Sequence, residues 1–148
     1  MENQITVELL MDPEDPQLET LENRFLSEIG EQTMTDAKQQ QLTQAIRDGK
    51  ITFFIAKHGY RAMGMCSVAA CFSTFACADT GMFDDFYIEP AFRRQGIARK
   101  LAAAAQAWCK TQGFASLTVS CAPCDEAMYR ALGFSTPLGR TLAQDLSA

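Results

Sequence analysis

The residues best suited to chemistry stand between a predicted strand and a predicted helix. Arg93, Arg94, Gln95 and Gly96 follow Pro90 and precede an alanine-rich segment. The first backbone N–H groups of a helix have no partner within the helix, and they lie at the positive end of its dipole. Gly96 has no Cβ, so a ligand can approach the backbone closely there. The stretch therefore predicts an anion site that suits phosphate.

An ordinary surface turn with solvated arginines is the alternative interpretation of this stretch. The spacing argues against it, because Pro90, Arg93, Gly96 and Ala98 form the pattern P-x-x-R-x-x-G-x-A directly after the hydrophobic residues 86–88. The chain contains neither the G-x-x-x-x-G-K-[ST] loop nor a G-x-G-x-x-G turn, so phosphate loops of those kinds fit less well.

Hydrophobic periodicity and turn residues predict the elements that position this stretch. We expect strands at residues 5–10, 51–57, 62–75, 82–88, 115–121 and 140–146, helices at residues 18–29, 35–48, 97–111 and 124–133, and a turn at residues 77–81. The fourth strand, the long helix and the fifth strand would form a right-handed crossover and hence a parallel pair. Without a repeat, low-complexity segment or linker, residues 1–148 predict one mixed α/β domain.

Composition limits the class of partner. The chain has 148 residues, 47% of them hydrophobic, and a net charge of −5. It lacks the global basic footprint of a nucleic-acid-binding protein, and its acidic balance mildly favours a cationic substrate. The N-terminal residues do not resemble a signal peptide, and no apolar run approaches the roughly 20 residues that cross a bilayer. We expect a cytoplasmic protein without a membrane or nucleic-acid partner.

The six cysteines are expected to be free thiols. Cys121 and Cys124 have the C-x-x-C spacing of some zinc sites, but no second pair follows, and the single histidine, His58, falls in another element. Zinc sites need four ligands, or three with an open position, so we predict no metal. A covalent cysteine mechanism would need an activating histidine nearby, and the same separation disfavours it.

Three ordered stretches together resemble the GNAT superfamily of N-acyltransferases. The segment 93–98 resembles the acyl-CoA-binding motif Q/R-x-x-G-x-G/A, the segment 84–90 resembles the fourth strand of that fold, and the segment 129–134 resembles its Y-x-x-x-G-F signature. Ala122 stands where many members carry asparagine, and Asp125 replaces a small residue. The resemblance implies a central, mixed, mostly antiparallel twisted sheet of six to seven strands flanked by about four helices.

The resemblance also implies acetyl-CoA as the cofactor. Its pantetheine arm would add to the fourth strand like a short extra strand, and its pyrophosphate would bind backbone amides at the start of the long helix, with Arg93 bracing the loop. The cofactor-binding residues implied in this way are Phe86, Tyr87, Ile88, Arg93, Arg94, Gln95, Gly96, Ile97, Ala98 and Arg99.

The implied reaction is direct attack of an amine on the thioester in a ternary complex. Tyr129 matches the position of the acid that protonates the leaving thiolate; packing against the cofactor is the alternative. Asp84 is our preferred base, acting through water, over Asp85 and Glu89. Strict alternation would place Asp84 on the same face as Phe86.

The acceptor stays open between a small-molecule amine and a peptide amine, and the resemblance leaves room for a homodimer. Two other functions also stay open. The first is a non-catalytic acyl-CoA-binding or sensing module of the same fold, which the Ala122 departure makes conceivable. The second is a small structural or interaction domain that binds no coenzyme.

Overall fold

The computed structural model describes residues 4–147. Four helices and a five-stranded sheet make up the fold of these residues. The strands are β1 Ile5–Leu9, β2 Ile51–His58, β3 Arg61–Ser73, β4 Ala78–Ile88 and β5 Leu117–Thr118. The helices are α1 Pro16–Glu28, α2 Asp36–Arg47, α3 Ile97–Thr111 and α4 Glu126–Ala131. The mixed α/β class and the parallel β4–α3–β5 crossover are confirmed.

The sheet follows chain order, β1-β2-β3-β4-β5. The first four strands are antiparallel neighbours. Short turns join β2 to β3 and β3 to β4, whereas α1 and α2 lie between β1 and β2 in the chain. Strand β5 is parallel to β4 and pairs with it at two positions, Gly81 with Leu117 and Met82 with Thr118. Gly81 allows the close approach at this junction, since a Cβ there would stand 2.7 Å from Val68 Cγ1 and 2.9 Å from Leu117 Cδ1 and would push these side chains away.

Each face of the sheet buries its own apolar cluster. Helix α3 covers one face, where its buried residues Ile97 and Leu101 join Phe54 and Phe83. Helices α1 and α2 cover the opposite face, where Leu18 and Leu21 of α1 are buried, with Phe53, Met65 and Tyr87 from the strands. The two faces of β4 therefore look toward α3 and toward α1, respectively.

The expected strand count of six to seven is wrong for the described residues, which form five strands. The predicted strand at residues 140–146 has no regular structure. Its apolar side chains find no surface to cover: Leu142 and Leu146 stay exposed. Without that burial, alternation alone does not hold a strand against a sheet. No helix among residues 4–147 is long and apolar enough to cross a membrane.

The expected turn at residues 77–81 is also wrong. Strand β4 already begins at Ala78, and Thr80 and Gly81 pair with Cys71 and Ala70 of β3. The chain reverses earlier, at residues 74–77, where Cys77 has a positive φ of 48°. The glycine that suggested a turn serves the close approach of β5 instead.

Candidate active site

A split separates β4 from β5 beyond Met82. The two strands pair only at Gly81 and Met82, so β4 continues to Ile88 without a partner on that side. The predicted fifth strand at residues 115–121 is reduced to Leu117–Thr118 for the same reason, since its later residues have diverged from β4. The unpaired edge of β4 can accept an extended ligand segment through backbone hydrogen bonds.

Of the predicted residues on this edge, Phe86 and Ile88 pack toward α3, while Tyr87 is buried on the α1 face. Their side chains therefore flank the split from both faces of the sheet. Phe86 lies 6.1 Å from the ring of Tyr129 on α4, and Phe83 lies 5.3 Å from the ring of Phe134. The aromatic side chains line the α3 side of the split.

The start of α3 presents free amides at the end of the split. Gly96 precedes the helix with φ 81°, and Arg94 also has a positive φ of 64°. No side chain caps the helix, and within residues 4–147 no N–H from Arg94 to Arg99 donates a hydrogen bond. Ile97 is buried and anchors the first turn. A Cβ at Gly96 would meet no atom within 4 Å, so the space above these amides is open.

Arg93 ties this loop to the rest of the fold. Its Nε donates to the carbonyl of Ile88 at 2.8 Å, and its guanidinium forms an ion pair with Glu28 of α1. The same guanidinium lies 5.7 Å from the centre of the Tyr87 ring. Arg93 is thus directed toward β4 and α1, whereas the amides of the following residues have no hydrogen-bond partner within residues 4–147.

The Tyr129 phenol on α4 is influenced by the charge of Asp84 on β4, although the two residues are far apart in sequence. The Tyr129 side chain is half-buried and contacts Phe86 and Phe134. Burial, followed by the negative charges of Asp125, Cys121 and Asp84, raises the pKa of the Tyr129 phenol. The phenol therefore keeps its proton at neutral pH. Asp84 is exposed.

Strand β4 contains a β-bulge, so its side chains do not alternate regularly between the two faces of the sheet. Met65 and Ser67 of β3 pair with Tyr87 and Asp84, so one residue of β3 faces two of β4. Asp85 takes up the bulge with φ 50°. Phe83 and Phe86 both pack toward α3 although they are three residues apart, so strict alternation between Asp84 and Phe86 is wrong.

Glu22 of α1 is a site residue that the sequence interpretation missed. It is 3% exposed, and its Oε1 has no hydrogen-bond partner among the described residues. Burial and the charges of Asp85 and Asp84 raise the pKa of Glu22 to about 8. Its spacing of four residues from Leu18 was the available signal, because it places a carboxyl on the apolar face of the helix.

The cysteine pair does not form a metal site. Cys121 and Cys124 are exposed free thiols, and His58 ends β2. No group of three or more potential ligands comes together within residues 4–147.

A family model described as the acetyltransferase (GNAT) family matches residues 16–134 of this chain. No curated protein sequence matches this chain. The matched range covers α1 through α4, including the split, the start of α3 and the segment that carries Tyr129.

Solved acetyltransferase structures share the fold at low sequence identity. Glucosamine-6-phosphate N-acetyltransferase from Arabidopsis thaliana is 14% identical, with a TM-score of 0.75 over 97% of this chain and 99% of its own. A predicted acetyltransferase from Clostridium acetobutylicum with acetyl-CoA is 15% identical, with a TM-score of 0.77 over 95% and 96%. An aminoglycoside N-acetyltransferase in complex with CoA is 17% identical, with a TM-score of 0.80 over 99% and 97%.

Proposed function

Because this chain belongs to the GNAT acetyltransferase family, we propose that it transfers the acetyl group of acetyl-CoA to a primary amine. The acceptor is a small-molecule amine or a peptide amine, and it attacks the thioester directly in a ternary complex. The observation that carries this proposal is the split beyond Met82 that runs toward the free amides at Gly96. One end suits an extended arm and the other suits a diphosphate.

The residues that would hold the coenzyme lie along this path. The β4 edge at Phe86, Tyr87 and Ile88 offers backbone groups to the pantetheine arm. The amides of residues 94–99 offer donors to the pyrophosphate, while Arg93 keeps the loop in place through Ile88 and Glu28. When bound, acetyl-CoA supplies an acetyl group activated as a thioester.

Each of the two proton transfers has its own residue: Tyr129 is the acid and Asp84 is the base. The Tyr129 phenol is protonated at neutral pH and donates its proton to the leaving sulfur, whose ordinary thiol pKa of about 8.5 makes it a suitable acceptor. Asp84 is exposed, and it accepts the proton of the attacking amine through a water molecule.

The experiment compares acetyl-CoA with S-acetylpantetheine, which has the same thioester arm but no diphosphate. Thermal stabilisation by acetyl-CoA should be large, and S-acetylpantetheine should give a much smaller shift. Release of free CoA thiol is then followed with a panel of alkylamines, aminoglycosides and peptides. No stabilisation by acetyl-CoA at millimolar concentration would contradict coenzyme binding, and binding without CoA release for any amine class would favour the non-catalytic module.

A further inference from the structure

The hairpin that joins β3 to β4 extends past the end of β2. Strand β2 begins at Ile51, which pairs with Ala69 of β3. Beyond this position, β3 and β4 continue to pair with one another as far as Ser73 and Ala78. This protruding part of the sheet, residues 70–78, is the hairpin tip.

The hairpin tip exposes large apolar side chains. Phe75 is 101% exposed and Phe72 is 66% exposed. Cys71 and Cys77, in the same tip, are exposed free thiols. Large exposed apolar patches are uncommon on monomeric proteins and mark interaction surfaces. Two phenylalanines exposed at one tip therefore indicate a surface that a partner covers.

The β3 edge of the tip also has backbone groups that are open to pairing. The N–H of Ala70 donates to the carbonyl of Lys50 at 3.1 Å on the β2 side. In an antiparallel sheet the backbone groups of every second residue point to the same edge, so Phe72 directs its N–H and C=O to that side. Within residues 4–147, β2 supplies no pair beyond Ala69, and these two groups stay free there.

The sequence of the tip does not protect this edge. Natural edge strands avoid unwanted pairing through charged side chains, proline or a covering element. Residues 62–78 contain no charged residue and no proline. An open apolar edge of this composition is expected to pair with another strand.

The charge of the chain favours a second copy as the partner. The net charge is −5, so two copies repel one another over most of their surface, and an anionic membrane repels the chain in the same way. Residues 62–78 are the longest uncharged stretch of the sequence. Two copies can therefore meet at the tip without placing like charges opposite one another.

The exposed apolar area suits a dimer of modest affinity. Since an aromatic side chain buries about 150–250 Å², the two phenylalanines of two copies would together bury roughly 500–800 Å². The exposed alanines and cysteines of the tip add to this area, which brings it near the lower end of specific interfaces, about 1,200 Å². We expect a dissociation constant in the micromolar range.

We propose that the hairpin tip joins two copies of this chain into a symmetric dimer. The two β3 edges pair antiparallel about a twofold axis at Phe72, whose N–H donates to the carbonyl of the same residue in the second copy and whose carbonyl accepts the reciprocal bond. Phe75 of each copy packs against the tip of the other. The split lies toward the opposite end of β4, so the dimer leaves the candidate active site open.

Sedimentation equilibrium of the full chain in reducing buffer tests the proposal, since reduction prevents disulfides between the exposed thiols. The mass should rise with concentration from 16.3 kDa to twice that value, with a midpoint in the micromolar range. A chain that keeps the monomer mass up to millimolar concentration would overturn the dimer. Binding of that monomer to phosphatidylcholine vesicles would assign the tip to an uncharged bilayer instead.

The double variant Phe72→Thr with Phe75→Ser removes both rings and keeps a residue that favours strands in β3. It should raise the dissociation constant of the dimer at least about tenfold, and circular dichroism checks that the fold is retained. Tyr60→Ser is the matched control, because Tyr60 is a 96% exposed aromatic residue in the turn of the other hairpin, between β2 and β3. An unchanged dimer in the double variant, or an equal loss in Tyr60→Ser, would overturn the surface.

Amide hydrogen exchange locates the contact without any substitution. Exchange at the Phe72 N–H should slow as the concentration passes the dissociation constant, because in the dimer this group donates a hydrogen bond. The Gly96 N–H, at the uncapped start of α3, should exchange at the same rate at every concentration. A dimer in which the Phe72 N–H exchanges at its monomer rate would place the contact elsewhere and overturn the proposal.

Discussion

The two sides of β4 place opposite electrostatic demands on a ligand. Toward α3, the helix begins with unpaired N–H groups around Gly96 that suit an anion. Toward α1, Glu22 is buried and its Oε1 has no hydrogen-bond partner among the described residues. A folded chain normally satisfies such groups internally. The contrast teaches that this chain leaves donors unpaired on one side of β4 and an acceptor unpaired on the other.

The proposed anion site at the start of α3 is tested most directly with Gly96→Glu, which should block it. The new carboxylate would occupy the open space above the amides, and its side chain would strain a backbone with φ 81°. We expect acetyl-CoA affinity to fall on the order of 100-fold, about 2.7 kcal/mol, measured by calorimetry. Gly113→Glu is the control, because Gly113 has φ 80° and open space at the other end of α3. Equal losses in both variants would assign the effect to strain.

The proposed role of Tyr129 as proton donor is tested with Tyr129→Phe. Removal of the phenol should lower kcat about 10- to 100-fold and leave the Kd for acetyl-CoA unchanged, because the ring still packs against Phe86 and Phe134. Steady-state kinetics and thermal titration give the two readouts. Tyr60→Phe, at a position that is 96% exposed, should have no effect. Unchanged turnover in Tyr129→Phe would remove the acid role.

The burial of the Glu22 carboxyl on the α1 side of β4 is tested by the pH dependence of stability in Glu22→Gln. The folded protein retains the Glu22 proton up to about pH 8, whereas a carboxyl with the ordinary pKa of 4.5 loses it earlier. The folded state then binds more protons than the unfolded state between these values, so wild-type stability falls as pH rises through that window.

The Glu22→Gln variant lacks this loss. Relative to the wild type, it should gain stability from pH 4 to pH 9, by an amount on the order of a few kcal/mol at about 1.4 kcal/mol per pKa unit. Urea unfolding at several pH values provides the measurement. Glu19→Gln should follow the wild type throughout. A constant difference between Glu22→Gln and wild type would show that the carboxyl is not desolvated.

The smallest effect on coenzyme affinity is expected for Glu28→Gln, which changes the contact between α1 and the loop before α3. This change removes the ion pair to Arg93 while keeping the hydrogen bond of Arg93 to Ile88. Both partners are partly exposed, so stability should change by less than about 1 kcal/mol. Acetyl-CoA affinity, followed by calorimetry, should weaken only a few-fold. Glu31→Gln, just beyond α1, serves as the control; a loss as large as for Gly96→Glu would contradict a bracing role.

Sequence alone predicted the parts of the fold that follow a single strong pattern. Helix α3 was predicted at residues 97–111, where it is found, because a glycine stop and an apolar stripe define both ends. The uncapped start of α3 at Gly96 could be predicted because it depends on backbone geometry at one short motif, and the anion site there stays a prediction.

The rest could not be predicted because it depends on tertiary contacts. The bulge at Asp85 has no distinctive residue type, and it reverses the face on which Asp84 was expected. Glu22 was missed because a carboxylate on a helix is ordinarily solvated. The strand expected at residues 140–146 failed because alternation does not reveal whether an edge is available to pair with.

The tight junction at Gly81 has a consequence for the length of the transferred group. The two rungs that join β4 to β5 there close the inner end of the split, with Val68 and Leu117 already near contact with the glycine. In the proposed binding mode, a thioester that enters from the α3 end advances only to this stop. We therefore expect two-carbon groups to react faster than long fatty chains, and residue 81 to set the reach.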